Sequence, residues 1–553
     1  MLPLLRRKSD RLARMKSFPL AVATLLLPAI VGAQMVLVKP YVQPGNGSSL
    51  QGSDVKVIAW VTEQKPGDFV VEFAVTGGPV RTAKVERVAL DFLPPKLPPP
   101  KATPMAVKPG TPAPATPASP FSTPGARLPL APLGNVPVTL EDLRRDIIRE
   151  ASPVIPEKEQ HFFKYAAVLT DLPFDSEVAY RVRLGATVVQ ETKFRTRASA
   201  GKPVKFVMIG DLANGSKEQN AVAFQMARVK PDFMVVLGDI VYSAGRVSQY
   251  LHHFFSTYDD PLETSAKAGA PLMQTIPFYP VIGNHDADMA KLPETPDAFG
   301  AFYFFHGPLN GPGLGPWNPP LGKDPKVAAK FRVDAGTSFP ALCVYSFDYG
   351  PAHFVMLDTN SYNTASFMQL APWVEKDLRE SKQRWKFVCM HAPAFHTSPQ
   401  HYTEQKMRLL EPIFEANGVD MVFAGHVHNY QRSKPLLFKP NPPARDPKGR
   451  VNGDFAFDEE FDGVTKTVPK GIIHVVTGGG GASLYNAKDF EKTVAQLMKD
   501  NPGNYVPLTA KYVADKHSFS FLELSPNELV LKQISIEGVE VDRIRITKGA
   551  AAK

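Results

Sequence analysis

Five short apolar runs, each followed directly by a polar cluster, constrain the fold of this chain more than any other feature. The runs cover residues 204–209, 233–237, 278–282, 387–390 and 421–424. The clusters are Gly-Asp at 210–211 and 238–239, Gly-Asn-His-Asp at 283–286, His at 391 and Gly-His-Val-His at 425–428. Helical stretches between the runs indicate an α/β domain. Because strand ends in such a sheet converge on one rim, we expect the five clusters to meet there.

The residue types in these clusters point to metal binding. They supply carboxylates, one amide oxygen and several imidazoles, the oxygen and nitrogen ligands that suit first-row metals. Taken singly, an aspartate at a strand end is often a helix cap, and a buried histidine is often merely hydrogen-bonded. Five such clusters at five strand ends instead predict one metal-binding site.

A different pattern precedes this region. Between residues 34 and 198, alternating apolar runs predict an all-β N-terminal sandwich. The runs cover residues 36–38, 55–61, 69–75, 162–169, 179–184 and 191–195. Trp60 and the later Thr-Asp-Leu-Pro, Tyr-Arg-Val and Phe-Arg-Thr stretches resemble a fibronectin type III-like module. A Pro-rich insertion at about 94–137 cannot form a core of its own, and a short helix at 139–150 is expected after it.

The first 33 residues have the features of a signal peptide. A basic segment precedes an apolar stretch and small residues before Gln34. The stretch is shorter than the ~20 residues of a membrane-spanning helix. We therefore expect a secreted or periplasmic protein without a membrane span after cleavage, with Sec and twin-arginine export both open.

The net charge is +9, of which residues 1–33 contribute +5 through six basic residues and one acidic residue. The remaining +4 does not favour a nucleic-acid partner. The only cysteines, Cys343 and Cys389, lie in separate apolar runs and exclude a disulfide network.

The five motifs together resemble the calcineurin-like metallophosphoesterase superfamily. They read Gly-Asp-Leu-Ala (210–213), Gly-Asp-Ile-Val-Tyr (238–242), Gly-Asn-His-Asp (283–286), Val-Cys-Met-His (388–391) and Gly-His-Val-His (425–428). The tyrosine at 242 resembles the purple acid phosphatases. The resemblance implies that residues 201–548 form a catalytic α/β metallophosphoesterase domain, with a two-sheet β-sandwich core flanked by helices.

The resemblance also implies a dinuclear metal centre. Asp211, Tyr242 and His428 would bind Fe(III), and Asp239 would bridge both metals. The divalent metal, expected to be Zn, Fe or Mn, would be bound by Asn284, His391 and His426. Ala213 stands where other metallophosphoesterases have a metal-binding histidine. Its lack of a donor atom fits the subclass in which Tyr242 supplies the ligand.

The function implied is hydrolysis of phosphate monoesters by metal-hydroxide attack on a small phosphorylated substrate. Asn284, His285 and His401 would face the substrate. His285 would protonate the leaving group or hold a phosphoryl oxygen, with Asp286 orienting its imidazole. His401, with Glu404 as its partner, matches a histidine near the substrate.

Two other functions remain open at this point. A phosphodiesterase or nucleotidase would use the same scaffold, with the insertion at 287–340 forming part of the pocket wall. A non-catalytic protein that attaches to a surface through its sandwich domain is the third hypothesis. The remaining histidines are expected to make ordinary hydrogen bonds, and the glycine run 478–481 is expected to turn near the metal rim.

Overall fold

The computed structural model describes residues 36–549 except 64, 93–158, 314, 364–365, 443–444 and 486–488. The predicted signal peptide, Pro-rich insertion and helix at 139–150 lie outside the described residues. Among the helices that are described, none combines the length and apolarity needed to cross a membrane.

The first eight strands form two four-stranded sheets, with orders β1-β2-β6-β5 and β4-β3-β7-β8. They are β1 (Val36–Gln43), β2 (Asp54–Thr62), β3 (Phe69–Val75), β4 (Arg81–Ala83), β5 (Val85–Phe92), β6 (Gln160–Leu172), β7 (Glu177–Leu184) and β8 (Thr187–Arg195). Alternate residues of β7 face the core, where Val178, Tyr180 and Val182 are buried. Trp60 stacks on Tyr165 in the same core, with ring centroids 5.3 Å apart.

All six strands predicted for this region are present. The sequence does not indicate β4, which has three residues, or β5, in which Glu86 and Arg87 interrupt the apolar alternation. The fibronectin type III likeness stays a prediction.

The rest of the chain forms two larger sheets. Their orders are β11-β10-β9-β21-β22-β23 and β12-β13-β14-β15-β19-β16-β20, and β17 and β18 form a separate hairpin. The strands are β9 (Val204–Ile209), β10 (Phe233–Leu237), β11 (Phe278–Val281), β12 (Val344–Tyr349), β13 (Ala352–Leu357), β14 (Trp385–Met390), β15 (Met421–Ala424), β16 (Tyr430–Ser433), β17 (Leu436–Pro440), β18 (Gly453–Phe457), β19 (Ile473–Thr477), β20 (Thr509–Val513), β21 (Ser518–Leu524), β22 (Glu528–Ser535) and β23 (Glu540–Thr547).

Helices connect and flank these strands. The α-helices are α1 (Lys217–Arg228), α2 (Val247–Gln249), α3 (Ser256–Tyr258), α4 (Asn284–Ala287), α5 (Gly300–Phe304), α6 (Pro325–Ala335), α7 (Ser338–Ala341), α8 (Ala371–Glu380), α9 (Glu411–Ala416) and α10 (Phe490–Asp500). A π-helical turn covers Tyr250–Phe255, and 3-10 turns cover Leu272–Gln274, Ser361–Asn363, Phe367–Leu370 and Lys406–Leu410.

The five predicted apolar runs are the buried strands β9, β10, β11, β14 and β15. The first three pair in parallel, and so do the last two, so their carboxyl ends lie at one edge of each sheet. Aromatic contacts join the two sheets face to face: Phe206 of β9 meets Phe354 of β13 at 5.4 Å, and Phe233 of β10 stacks on Tyr349 of β12 at 4.2 Å. The predicted two-sheet α/β architecture is confirmed, and both sets of strand ends face one rim.

A buried ion triad ties the N-terminal sandwich to the second region. The Arg197 Nε donates to Asp54 Oδ1 at 2.8 Å, and the Lys56 ammonium pairs with the other Asp54 oxygen. The Arg197 Nη1 also donates to the carbonyls of Ser48 and Asp348. Burial lowers the pKa of Lys56 to about 8 even beside the Asp54 carboxylate. The desolvation cost of these charges is offset only while each keeps its partner.

Arg197→Ala should therefore lower the free energy of unfolding by about 3–5 kcal/mol, because it leaves Asp54 buried with one cation fewer. Urea unfolding followed by circular dichroism measures this loss. Arg181→Ala is the control, since it removes a solvent-exposed pair with Glu191 and should change the midpoint little. Equal effects of the two substitutions would contradict the role given to the triad.

Candidate metal centre

Three of the predicted ligands have an unusual backbone conformation. Asp211, Asp239 and His426 have φ values of 61°, 48° and 66°. Non-glycine residues in this left-handed region cost about 1–3 kcal/mol each. Each of the three follows a glycine directly after a strand, so the chain turns sharply there and directs the ligand side chain to the rim.

Glycine is required at these turns because the strand ends approach one another closely. A Cβ on Gly238 would lie 2.4 Å from His391 Nδ1, and one on Gly283 would lie 2.1 Å from the Asp239 nitrogen. Any larger residue at either position would push the ligands apart.

The first cluster contains Asp211, Asp239, Tyr242 and His428. The Tyr242 hydroxyl lies 3.0 Å from Asp211 Oδ1, 3.1 Å from Asp239 Oδ2 and 3.1 Å from His428 Nε2. Ala213 is buried beside it, and its carbonyl accepts the Tyr242 N–H. Three side chains and one shared carboxylate thus converge on one point.

The second cluster contains Asn284, His391 and His426. His391 Nε2 lies 2.9 Å from Asn284 Oδ1, 3.1 Å from His426 Nδ1 and 3.2 Å from Asp239 Oδ1. Asp239 therefore presents Oδ1 to this cluster and Oδ2 to the first. All seven predicted ligand residues lie together, around one shared carboxylate.

The outer nitrogen of each histidine in these clusters lies beside an oxygen acceptor. The pairs are His391 Nδ1 with the Leu237 carbonyl at 2.8 Å, His428 Nδ1 with the Ser483 carbonyl at 2.8 Å, and His426 Nε2 with Glu404 Oε2 at 3.2 Å. With the outer N–H donating to that oxygen, each ring turns its inner nitrogen toward the cluster, where it binds either a proton or a metal ion. Nitrogen and oxygen ligand atoms brought so close together fit a bound cation, and histidines oriented in this way are typical of metal ligands.

The pKa values of His391 and Tyr242 also fit a cation bound between the clusters. Burial opposes charge on His391, yet the Asp239 carboxylate raises its pKa to about 10. Burial and the carboxylates of Asp211 and Asp239 raise the pKa of Tyr242 well above its usual value. The cluster thus attracts positive charge strongly, and only a highly charged cation would stabilise a Tyr242 phenolate.

His285 lies at the open side of the clusters. Its backbone N–H donates to Asp239 Oδ1 at 2.8 Å, and its Nδ1 donates to the Ser243 carbonyl at 2.6 Å. The ring lies over Tyr242, with centroids 4.5 Å apart, and Nε2 is 3.9 Å from Asp239 Oδ2. The side chain is 23% exposed, so the ring is partly open to solvent.

The predicted role of Asp286 is wrong. Its carboxylate accepts the backbone N–H groups of Gly283 at 2.9 Å and Ile240 at 3.1 Å, and makes no hydrogen bond to the His285 imidazole. Consecutive residues of a helix do not face each other, and an acidic residue in the first turn folds back to cap the helix. Ser243 orients the His285 ring instead.

His401 lies beside the second cluster. Its Nδ1 contacts Glu404 Oε1 at 2.7 Å, and its ring centroid is 3.8 Å from that of His426. Glu404 therefore joins His401 to a predicted metal ligand. The Tyr485 hydroxyl, 3.0 Å from His401 Nε2, completes the contacts of that ring.

Sequence reasoning missed Tyr485, whose ring also stacks on His428 at 4.4 Å. The sequence feature that could have indicated this tyrosine is the glycine run at 478–481, just before it. This run packs against the motif loops, as expected of a turn near the rim: a Cβ on Gly478 would lie 2.7 Å from Asp211 Oδ2.

A sequence model of the calcineurin-like phosphoesterase family matches residues 204–430. Purple acid phosphatase 18 of Arabidopsis thaliana is 23% identical over 316 residues, covering 56% of each protein. An uncharacterized protein of Mycobacterium tuberculosis is 25% identical over 349 residues, covering 57% of this chain and 58% of that protein. The chain thus spans little more than half the length of these relatives.

A solved purple acid phosphatase from yellow lupin (Lupinus luteus) has a similar fold. Its TM-score is 0.54 at 17% identity, and the superposition covers 92% of this chain and 74% of the lupin chain. Residues 204–430 therefore match the calcineurin-like phosphoesterase family, and the chain is similar to purple acid phosphatases in sequence and in fold.

Proposed function

We propose that this protein is a secreted or periplasmic dinuclear-metal phosphatase that hydrolyses phosphate monoesters. One observation carries the proposal: two sets of lone-pair donors converge on the rim and share the Asp239 carboxylate. One carboxylate can hold two cations at the ~3.5–4 Å separation that phosphoryl transfer uses.

The two sets differ in their chemistry. Asp211, Tyr242 and His428 would hold Fe(III), because a trivalent ion best offsets the cost of ionising a buried phenol beside carboxylates. Asn284, His391 and His426 offer neutral donors, which suit a divalent Zn, Fe or Mn. When bound, the cations supply a nucleophile from water and neutralise phosphoryl charge.

The residues around the clusters would handle the substrate. Water hydrolyses phosphate monoesters so slowly that enzymes accelerate the reaction by up to ~10²¹-fold. To reach such rates, the leaving oxygen needs a well-placed proton. His285 would donate it from Nε2, with its ring held by Ser243. His401, fixed by Glu404, would bind a phosphoryl oxygen through Nε2, in place of the Tyr485 hydroxyl, on the side of the second cluster.

The first experiment measures turnover of p-nitrophenyl phosphate and bis(p-nitrophenyl) phosphate by the purified protein, from acidic to neutral pH. We expect monoester turnover above diester turnover, loss of both with a chelator, and recovery on adding iron and zinc. Preference for the diester would favour the phosphodiesterase alternative. No turnover by protein that holds two metals per chain would favour the non-catalytic alternative and contradict the proposal.

Tyr242→Phe should abolish a visible charge-transfer band of the iron-loaded protein, because phenylalanine has no oxygen to bind Fe(III). Absorption spectroscopy with metal analysis measures this. Tyr485→Phe is the control: its ring also lies at the clusters, on His428, but it is not a predicted ligand, so the band should persist. A colourless, fully active, iron-free enzyme would contradict the iron assignment.

His285→Ala should lower kcat on an alkyl phosphate by about 10²–10⁴-fold, the usual contribution of a general acid. The loss should be smaller on p-nitrophenyl phosphate, whose leaving group needs no proton, and the metal content should stay at two per chain. His252→Ala, which removes an exposed histidine of the π-helical turn, is the control and should keep full activity. Equal losses on both substrates would refute the role of His285 as the acid.

A further inference from the structure

The loop at residues 358–363, directly after β13, supplies none of the seven predicted ligands. Its described contacts nevertheless reach the backbone next to two ligands of the second cluster. The loop is largely buried: Asp358 is fully buried, and Asn360 is 3% exposed. It therefore contributes to the interior around the second metal site.

Asn360 contacts the turn that leads into the ligand Asn284. Its Nδ2 donates to the carbonyls of Gly283 at 3.1 Å and Ile282 at 3.3 Å, the two residues before Asn284. The backbone N–H of Asn360 in turn donates to Asp358 Oδ1 at 2.9 Å. A buried carbonyl without a donor costs free energy, so the Asn360 amide stabilises this turn in one conformation.

Neighbouring residues of the loop support the same turn and the adjacent strand end. Thr359 Oγ1 accepts the N–H of Ala392, the residue after His391, at 2.9 Å. The Ser361 N–H donates to Asp288 Oδ2 at 2.8 Å, at the end of the short helix that begins with Asn284. Both Asn284 and His391 are thus held from the loop.

A buried lysine links the loop to the segment that carries Glu404, a partner of the third ligand, His426. Lys406, 6% exposed, donates from Nζ to the Asn360 carbonyl at 2.6 Å and to the Asn363 side-chain oxygen. Lys406 lies two residues after Glu404, whose carboxylate accepts from the outer nitrogen of His426. The loop is therefore hydrogen-bonded to the backbone next to Asn284 and His391 and, through Lys406, to the segment that carries Glu404.

We propose that Asn360 is a positioning residue for the second metal. Its amide fixes the peptides before Asn284, so that Asn284 Oδ1 stays 2.9 Å from His391 Nε2. The inference rests on the proposed metal assignment but not on turnover. Hydrogen-bonding partners of metal ligands typically change metal affinity 10–100-fold when they are removed.

The test measures Zn²⁺ binding by calorimetry on the metal-stripped full chain. Asn284→Ala should remove one of the two Zn²⁺ binding steps, and that step is assigned to the second site. Asn360→Ala should weaken that step by about 10–100-fold and leave the other step unchanged. An unchanged affinity at both steps would overturn the proposal.

Asn363→Ala is the matched control. Asn363 is also buried in this loop, where its Nδ2 donates to the Asp358 carbonyl and its Oδ1 accepts from Lys406, but its side chain makes no described hydrogen bond to the turn before Asn284. It should lower the thermal midpoint about as much as Asn360→Ala while keeping the second Zn²⁺ step. Equal weakening in both variants would indicate general loop packing and overturn the specific role of Asn360. Because the readout is Zn²⁺ affinity, an inactive wild-type enzyme would refute the phosphatase proposal without deciding this one.

Discussion

The rest of the site depends on the Asp239 carboxylate, whose two oxygens serve two different clusters. β10 lies between β9 and β11, so Asp239 emerges in the middle of the rim, within reach of ligands from both sheets. Its left-handed backbone and the glycine before it direct the side chain across the gap. The other ligands are arranged around this carboxylate, and the two clusters become one centre.

Such a centre is unfavourable for folding by itself. Buried carboxylates, a buried phenol and three imidazoles are crowded together, and three of the predicted ligands have strained backbones. The aromatic layer between the two sheets, with Phe206, Phe233 and Phe354, supplies apolar packing that holds the sheets together. Local conflict at a site, offset by packing elsewhere, is typical of functional sites.

The histidine rings of the site are oriented mainly by groups that are not themselves predicted ligands. Main-chain carbonyls of Leu237 and Ser483 and the Glu404 carboxylate fix the three histidines, and Ser243 fixes His285. Since these contacts exist before substrate arrives, the donors need no rearrangement to act. Preorganisation of this kind lets a site stabilise charge efficiently.

The sequence by itself determined the class of fold and indicated seven candidate ligands, because polar residues directly after buried strands form a local pattern and the motifs resemble a known family. The structure brings together seven residues identified in this way, from Asp211 to His428. The role expected for Asp286, orienting His285, is wrong because helix geometry turns its carboxylate to the backbone. The sequence does not show that geometry. Tyr485, Asn360 and Lys406 could not be identified, since each acts through contacts with residues distant in sequence. Only the tertiary structure decided those contacts, because packing of the two sheets sets which loops meet at the rim.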